Sequence, residues 1–162
     1  MQCQKTVLSI SCLVFLIIPD LISARILSEC DAARELTKAK ISRTFLSNWV
    51  CLMKSESGLD TNKISGPGVA SSYSYGIFQI SSSQWCKRGR KGGDCNAKCE
   101  DFANDDISDD IECAKKIAEM KGFQYWPKWL KNCKSGKLPN VGNCKRRRSL
   151  SDLIIPPVEN TI

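Results

Sequence analysis

Apolar positions along this chain follow three patterns. The first is an unbroken run, VLSISCLVFLII over 7–18, with Lys5 before it and the small-residue stretch LISA after it. A basic residue, a short apolar block and then small residues make up a secretory signal peptide, with removal expected between Ala24 and Arg25. The run is shorter than the roughly 20 residues a bilayer core demands, so no membrane span is expected. The second pattern is helical. Ser28 precedes ECDAARELTKA with Asp31 three positions on, which predicts a capped first helix. In TFLSNWVCLMKS, Leu46, Trp49, Val50 and Met53 recur on one helix face and predict a second helix, which places Glu56 at a helix end. ISDDIECAKKIAEM repeats that spacing with Ile107, Ile111, Ala114 and Ile117 or Ala118, and FQYWPKWLKNC predicts a short fourth helix. The third pattern is alternation: after the turn-forming SGPGVASS, the stretch SSYSYGIFQI at 71–80 predicts strand. The fold class is α+β, helices with a small sheet inserted.

Three segments follow from this: a leader at 1–24, one domain at 25–144, and a tail, KRRRSLSDLIIPPVENTI, at 145–162. The tail is basic and proline-interrupted, and disorder is expected for it. The net charge is +7, of which about +5 stays on the domain, enough to favour approach to anionic walls or acidic glycans. No interleaved basic and aromatic pattern is present, so a nucleic-acid partner is not expected. Ten cysteines occur, and eight lie beyond the leader: Cys30, Cys51, Cys86, Cys95, Cys99, Cys113, Cys133 and Cys144. In an exported chain these read as four disulfides. A zinc cluster is the competing reading, but C-x-x-C pairs are lacking. Spacing alone allows about 105 pairings and chooses none. Histidine is absent, which removes Ser-His and Cys-His catalysis and leaves carboxylates as the acid-base groups.

The segments CLMKSESG, YGIFQISS, WC, CNAKC and CAKKI, taken with the eight cysteines and four tryptophans, resemble the c-type lysozymes, the insect ones in particular, from Arg25 to Cys144. The resemblance implies a helical lobe and a small β lobe flanking a cleft for alternating N-acetylglucosamine and N-acetylmuramic acid. It also implies disulfides Cys30–Cys144, Cys51–Cys133, Cys86–Cys99 and Cys95–Cys113. The expected protein is a secreted monomer that binds peptidoglycan or chitin-type saccharide and requires no cofactor.

The chemistry of that family needs two carboxyl groups astride a glycosidic bond, one to protonate the leaving oxygen and one to stabilise the cationic centre. Glu56 matches the general acid. The second carboxylate belongs immediately before Tyr75-Gly76, where this chain has Ser74. A serine is uncharged and, without a base, is not a competent glycosyl nucleophile. Tyr73 and Tyr75 should face away from the bond, as neighbours on a strand do, and Asp60 is expected to organise the turn after the helix. Hydrolysis is therefore expected to be weak or absent. Trp85 and Trp126 match sugar-contacting tryptophans, with Trp126 packing against the acid, and Gln79 matches a cleft glutamine. Ser81 replaces an asparagine of the strand, and Gln84 replaces an aromatic residue of the upper subsites. Trp49 and Trp129 read as core.

A second constellation is CEDFANDDISDDIEC at 99–113, similar to the calcium loop of α-lactalbumin and the calcium-binding lysozymes. Matched residue by residue, the side chains of Asn104, Asp109 and Asp110 and the carbonyls of Asp101 and Asp106 would hold a structural Ca2+. Asn104 is an amide where α-lactalbumin has an aspartate, which lowers the ligand charge. The competing reading is that Asp106 caps the following helix and the acids complement its dipole. Three functions stay open: a saccharide-binding member with little hydrolysis, an active muramidase, and an α-lactalbumin-like partner of another protein.

Overall fold

The computed structural model describes residues 25–144; the expectations for 1–24 and 145–162 fall outside them. Four α-helices carry the larger lobe: α1 (Glu29–Lys38), α2 (Leu46–Ser57), α3 (Ser108–Lys121) and α4 (Pro127–Asn132). Ser28 caps α1 as expected, its hydroxyl accepting the Asp31 N–H at 3.1 Å and donating to the Asp31 carboxylate at 2.7 Å. Helix α2 stops at Gly58, which takes the left-handed conformation (φ 74°) and bonds back to the carbonyls of Lys54 and Met53. The α2 face predicted from spacing is buried: Leu46, Trp49, Val50 and Met53 lie in one core with Leu36, Ile111, Ala114 and Ile117.

The smaller lobe is built from short pieces. Strands β1 (Ile64–Ser65), β2 (Ser74–Tyr75) and β3 (Ile80–Ser81) form an antiparallel sheet in that order. A parallel pair, β4 (Cys86–Lys87) and β5 (Ala97–Lys98), lies beyond it. The expected single strand over 71–80 is instead a hairpin, with residues 76–79 turning between β2 and β3. Gly76 makes the turn at φ 70°, and a Cβ there would collide with the Phe102 carbonyl and the Asp110 carboxylate. Ile77 and Phe78 at the tip are fully buried, so both alternation and burial are satisfied by a turn. The fourth helical block likewise divides into a 3-10 turn at Phe123–Tyr125 and α4, where Pro127 occupies the first helical position.

All four disulfides form with the pairing the resemblance implied: Cys30–Cys144, Cys51–Cys133, Cys86–Cys99 and Cys95–Cys113. The first two tie α1 to the end of the domain and α2 to the end of α4; the last two lace the smaller lobe to itself and to α3. Cross-links spanning 82 and 114 residues remove much entropy from the unfolded chain, and such a bridge is typically worth about 2–4 kcal/mol.

Candidate functional site

Glu56 lies in the last turn of α2 with its side chain 7 % exposed, and no partner among the described residues hydrogen-bonds its Oε1. Its surroundings come from two other segments. Lys63, just before β1, donates to the Glu56 main-chain carbonyl at 3.2 Å, and Lys128, from α4, donates to the same oxygen at 3.0 Å. The Lys128 ammonium also stands 3.8 Å from Glu56 Oε2. Burial pushes the Glu56 carboxyl above its ordinary range; the charges of Lys128 and Lys63, and the N–H groups of Lys128 and Trp129, offset that only in part. A carboxyl so placed keeps a proton to higher pH than a solvated one, as a general acid must.

The hairpin is fastened to this point through Lys63. Its carbonyl accepts the Gly76 N–H at 2.8 Å and the Gln79 side-chain amide at 3.0 Å. Gln79 also donates to the Gly76 carbonyl at 2.8 Å, so this buried amide braces the turn. From the other lobe, the Trp126 indole donates to the Phe78 carbonyl at 2.9 Å. Glu56, Gln79 and Trp126 are thereby joined into one locus where α2, α4 and the hairpin meet.

Ser74 sits on β2 between Ser65 of β1 and Ser81 of β3, directly opposite both. Residues paired across a sheet share a face, so the middle of this face is a row of three neutral hydroxyls. Ser81 is further engaged with the Ser83 hydroxyl at 2.8 Å. Tyr75 is buried in the core, while Tyr73 packs under the Arg88 guanidinium, 4.4 Å from its ring. Asp60 accepts the Asn62 N–H at 2.9 Å, a turn-forming bond.

The expected sugar-contacting residues lie less open than a sugar platform would. Trp85 is fully buried, with its indole N–H donated to the Tyr125 hydroxyl at 2.7 Å. Trp126 is 2 % exposed. Gln84 is turned to the Asp94 carboxylate at 2.7 Å. Trp49 is core; Trp129 is half-buried and stacks on Phe123. Hollows of about 480 and 420 Å³ open elsewhere, the first beside Asp109, Glu112 and Lys116, the second beside Glu29, Lys54 and Asn132. Neither is lined by Glu56 or Ser74, and both are open, charge-mixed surface depressions, so the locus around Glu56 is the better candidate. Lys63, Lys128 and Tyr125 escaped the sequence reading; only their closeness in sequence to Glu56 and Trp126 hinted at them.

The acidic loop is only partly arranged for an ion. Asp110 is wholly buried, and neither of its carboxylate oxygens completes a hydrogen bond. Burial, and then the neighbouring Asp109 charge, hold its pKa well above the usual carboxylate range, with the Ile77 and Asp110 N–H groups countering weakly. Asp109 is raised too, chiefly by burial. Asn104 and the Asp101 carbonyl are engaged within the loop, and the Asp106 side chain, though not its carbonyl, is engaged too. The Asn104 amide donates to the Asp101 carbonyl and accepts the Asp106 N–H, and Asp106 accepts the Ser108 N–H at 3.0 Å at the start of α3. Among the described residues no three acidic, histidine or cysteine side chains gather as a metal cluster. The buried, unpartnered Asp110 beside Asp109 fits an oxygen-ligated cation, whereas the Asn104 amide is committed within the loop, so the donor set fits calcium only in part.

Two lobes, four disulfides and the buried Glu56 carboxyl where α2, α4 and the hairpin meet define the class: a lysozyme-like fold. The chain belongs to the C-type lysozyme/alpha-lactalbumin family, whose model matches residues 25–144. It is 40% identical to Lysozyme c-1 of Anopheles gambiae over 121 residues, covering 75% of this chain and 86% of that one. It is 38% identical to a lysozyme of Bombyx mori, covering 75% of this chain and 88% of the other. Among solved structures, lysozyme from Equus asinus superposes with TM-score 0.64 at 34% identity, covering 70% of this chain and 92% of that one. A calcium-binding lysozyme from equine milk matches with the same score, identity and coverage. No helix among the described residues is long and apolar enough to cross a membrane.

Proposed function

We propose that this protein is a secreted saccharide-binding member of the lysozyme family, directed at peptidoglycan or chitin-type β-1,4-linked amino sugars, in which hydrolysis is weak or absent. The observation that carries this reading is the neutral row Ser65, Ser74 and Ser81 across the sheet, with Ser74 immediately before the Tyr75-Gly76 turn. Glu56 retains what a general acid needs: burial, an elevated pKa and a fixed main chain. Proton donation alone moves charge onto the sugar, and neither Ser74 nor its paired neighbours Ser65 and Ser81 carries a negative charge to receive it. Loss of one preorganised electrostatic stabiliser typically costs on the order of a hundred- to a thousandfold in rate. Four disulfides support folding in an oxidising compartment, in keeping with export. The same reading has the domain acting as a monomer and without a metal.

A second reading, an active but slow muramidase, is favoured by the retained acid itself: Glu56 could protonate the leaving oxygen while water attacks unaided. Clearing of bacterial cell-wall suspensions, with Glu56→Gln as control, separates the two. Chitooligosaccharide binding without clearing supports the first, and clearing at the rate of an ordinary lysozyme that Glu56→Gln abolishes overturns it.

A further inference from the structure

We propose that the connection between β4 and β5, CKRGRKGGDC over 86–95, is a binding site for a sulfated polysaccharide, separate from the locus around Glu56. Lys87, Arg88, Arg90 and Lys91 are all exposed, and none of them enters an ion pair among the described residues. Cations so close in sequence repel one another, and a slack loop would let them spread. Here the backbone holds them together. Gly89 and Gly93 turn at φ 72° and 69°, and a Cβ on Gly93 would collide with the main chain of Trp85 and Cys86. Gly92 and Ala97 exchange main-chain hydrogen bonds at 3.1 and 3.0 Å. The stem of Lys87 lies against Gly92, so the two ends of the cationic run meet, and the β4–β5 pairing sets Lys87 opposite Lys98. Disulfides Cys86–Cys99 and Cys95–Cys113 fasten both ends of the loop.

The acids beside the loop are engaged elsewhere. Glu100 accepts the Gly89 N–H through both carboxylate oxygens, at 3.2 and 3.1 Å, and Asp94 accepts the Gln84 amide at 2.7 Å. The Arg88 guanidinium rests 4.4 Å over the Tyr73 ring, a contact that positions its charge without neutralising it. What fits such a surface is a polymer carrying repeated strong anions. A guanidinium offers a planar fork of N–H donors that meets sulfate or phosphate oxygens two at a time, and an ammonium adds charge from any angle. Short runs rich in Lys and Arg serve heparin-like or nucleic-acid ligands. Residues 87–96 include no aromatic ring on which a base could stack, and Tyr73 lies under Arg88. Nor do they include a large apolar side chain to enter a lipid interface. A sulfated glycan asks for neither. An uncharged chitin-type saccharide gains nothing from this loop, so the proposal stands apart from the reading of the Glu56 locus.

Calorimetric titration of the secreted chain with a heparin octasaccharide, and with the same octasaccharide after desulfation, tests this. The loop variant is Lys87→Gln/Arg88→Gln/Arg90→Gln/Lys91→Gln. The control carries Lys121→Gln, Lys131→Gln, Lys134→Gln and Lys137→Gln, which changes net charge equally at other exposed positions. An exposed ion contact is worth about two- to fivefold in affinity, so four compound to on the order of tens- to hundredsfold. The loop variant should bind the sulfated probe about tenfold or more weakly than the parent, with the control within about threefold of it. The desulfated probe should bind the parent about tenfold or more weakly than the sulfated one. Arg90→Gln/Lys91→Gln alone, two exposed residues at the tip, should lose about threefold or more, and it carries the test if the fourfold variant melts early. Equal losses in the loop variant and the control, or undiminished binding in the loop variant, overturn the site. A single-stranded oligonucleotide or a phosphatidylglycerol vesicle that the parent binds more tightly than the octasaccharide overturns the partner.

Discussion

Restoring a carboxylate by Ser74→Asp should raise cell-wall hydrolysis at least tenfold. Ser74 is half-buried on β2, flanked on its own face by Ser65 and Ser81. Directly paired residues have Cβ atoms about 4.5–5.5 Å apart, so both hydroxyls are within reach as donors to an introduced carboxylate. In retaining glycosidases the two carboxyl groups lie about 5 Å apart. A unit charge about 5 Å from a developing cation, at an effective dielectric near 20, contributes about 3 kcal/mol. At about 1.4 kcal/mol per decade that is on the order of a hundredfold. Partial burial of the new charge takes back some of this, which leaves tenfold as the floor. The assay is turbidity of a cell-wall suspension, run beside Ser74→Asn, which matches the shape of Asp without its charge, and Ser74→Asp/Glu56→Gln, which removes the acid. Chitotriose titration confirms that each variant still binds. An Asp variant that binds sugar but hydrolyses no faster than Ser74→Asn would refute the electrostatic account of the proposed weak hydrolysis.

Three other outcomes are expected. Glu56 has a raised pKa in the fold, so the stability it contributes is fully present below the ordinary carboxylate range and is lost as pH rises through the raised value; urea midpoints between pH 4 and 8 should slope less steeply downward in Glu56→Gln than in the parent. Calcium at millimolar concentration should leave the parent's melting temperature unchanged within about 1 °C, whereas Asn104→Asp, which restores a charged donor, should gain several degrees, about 2.7 kcal/mol at a hundredfold excess over Kd; a parent that responds as strongly as the variant contradicts the reading of Asn104. Gly76→Ala should lower stability by about 2 kcal/mol or more, because it adds a Cβ against the Phe102 carbonyl and the Asp110 carboxylate at a positive φ; a near-parental denaturation midpoint counts against a tight turn.

Helix positions were legible because a buried face repeats at a fixed spacing: Leu46, Trp49, Val50 and Met53 announced α2, and Ser28 with Asp31 announced where α1 begins. The disulfide pairing was accessible only through resemblance, since spacing alone permits every combination. The hairpin was missed in part because Ile77 and Phe78 are apolar and adjacent to alternating residues, so periodicity cannot separate a buried turn from a buried strand. What turns the chain there is contact with residues far along it, Phe102 and Asp110. Glu56 and Ser74 could be named through the resemblance that KSESG and YGIFQI carry. Lys63, Lys128 and Tyr125 could not, because their roles depend on a main-chain oxygen and an indole N–H that only folding brings within reach.

Both lysines that steady the acid grip the peptide oxygen of Glu56, and the hairpin is moored through a peptide oxygen of Lys63. None of these fastenings depends on which side chain residue 56 or 74 carries. Substitutions at either position can therefore change the chemistry available there while the junction of α2, α4 and the hairpin keeps its outline.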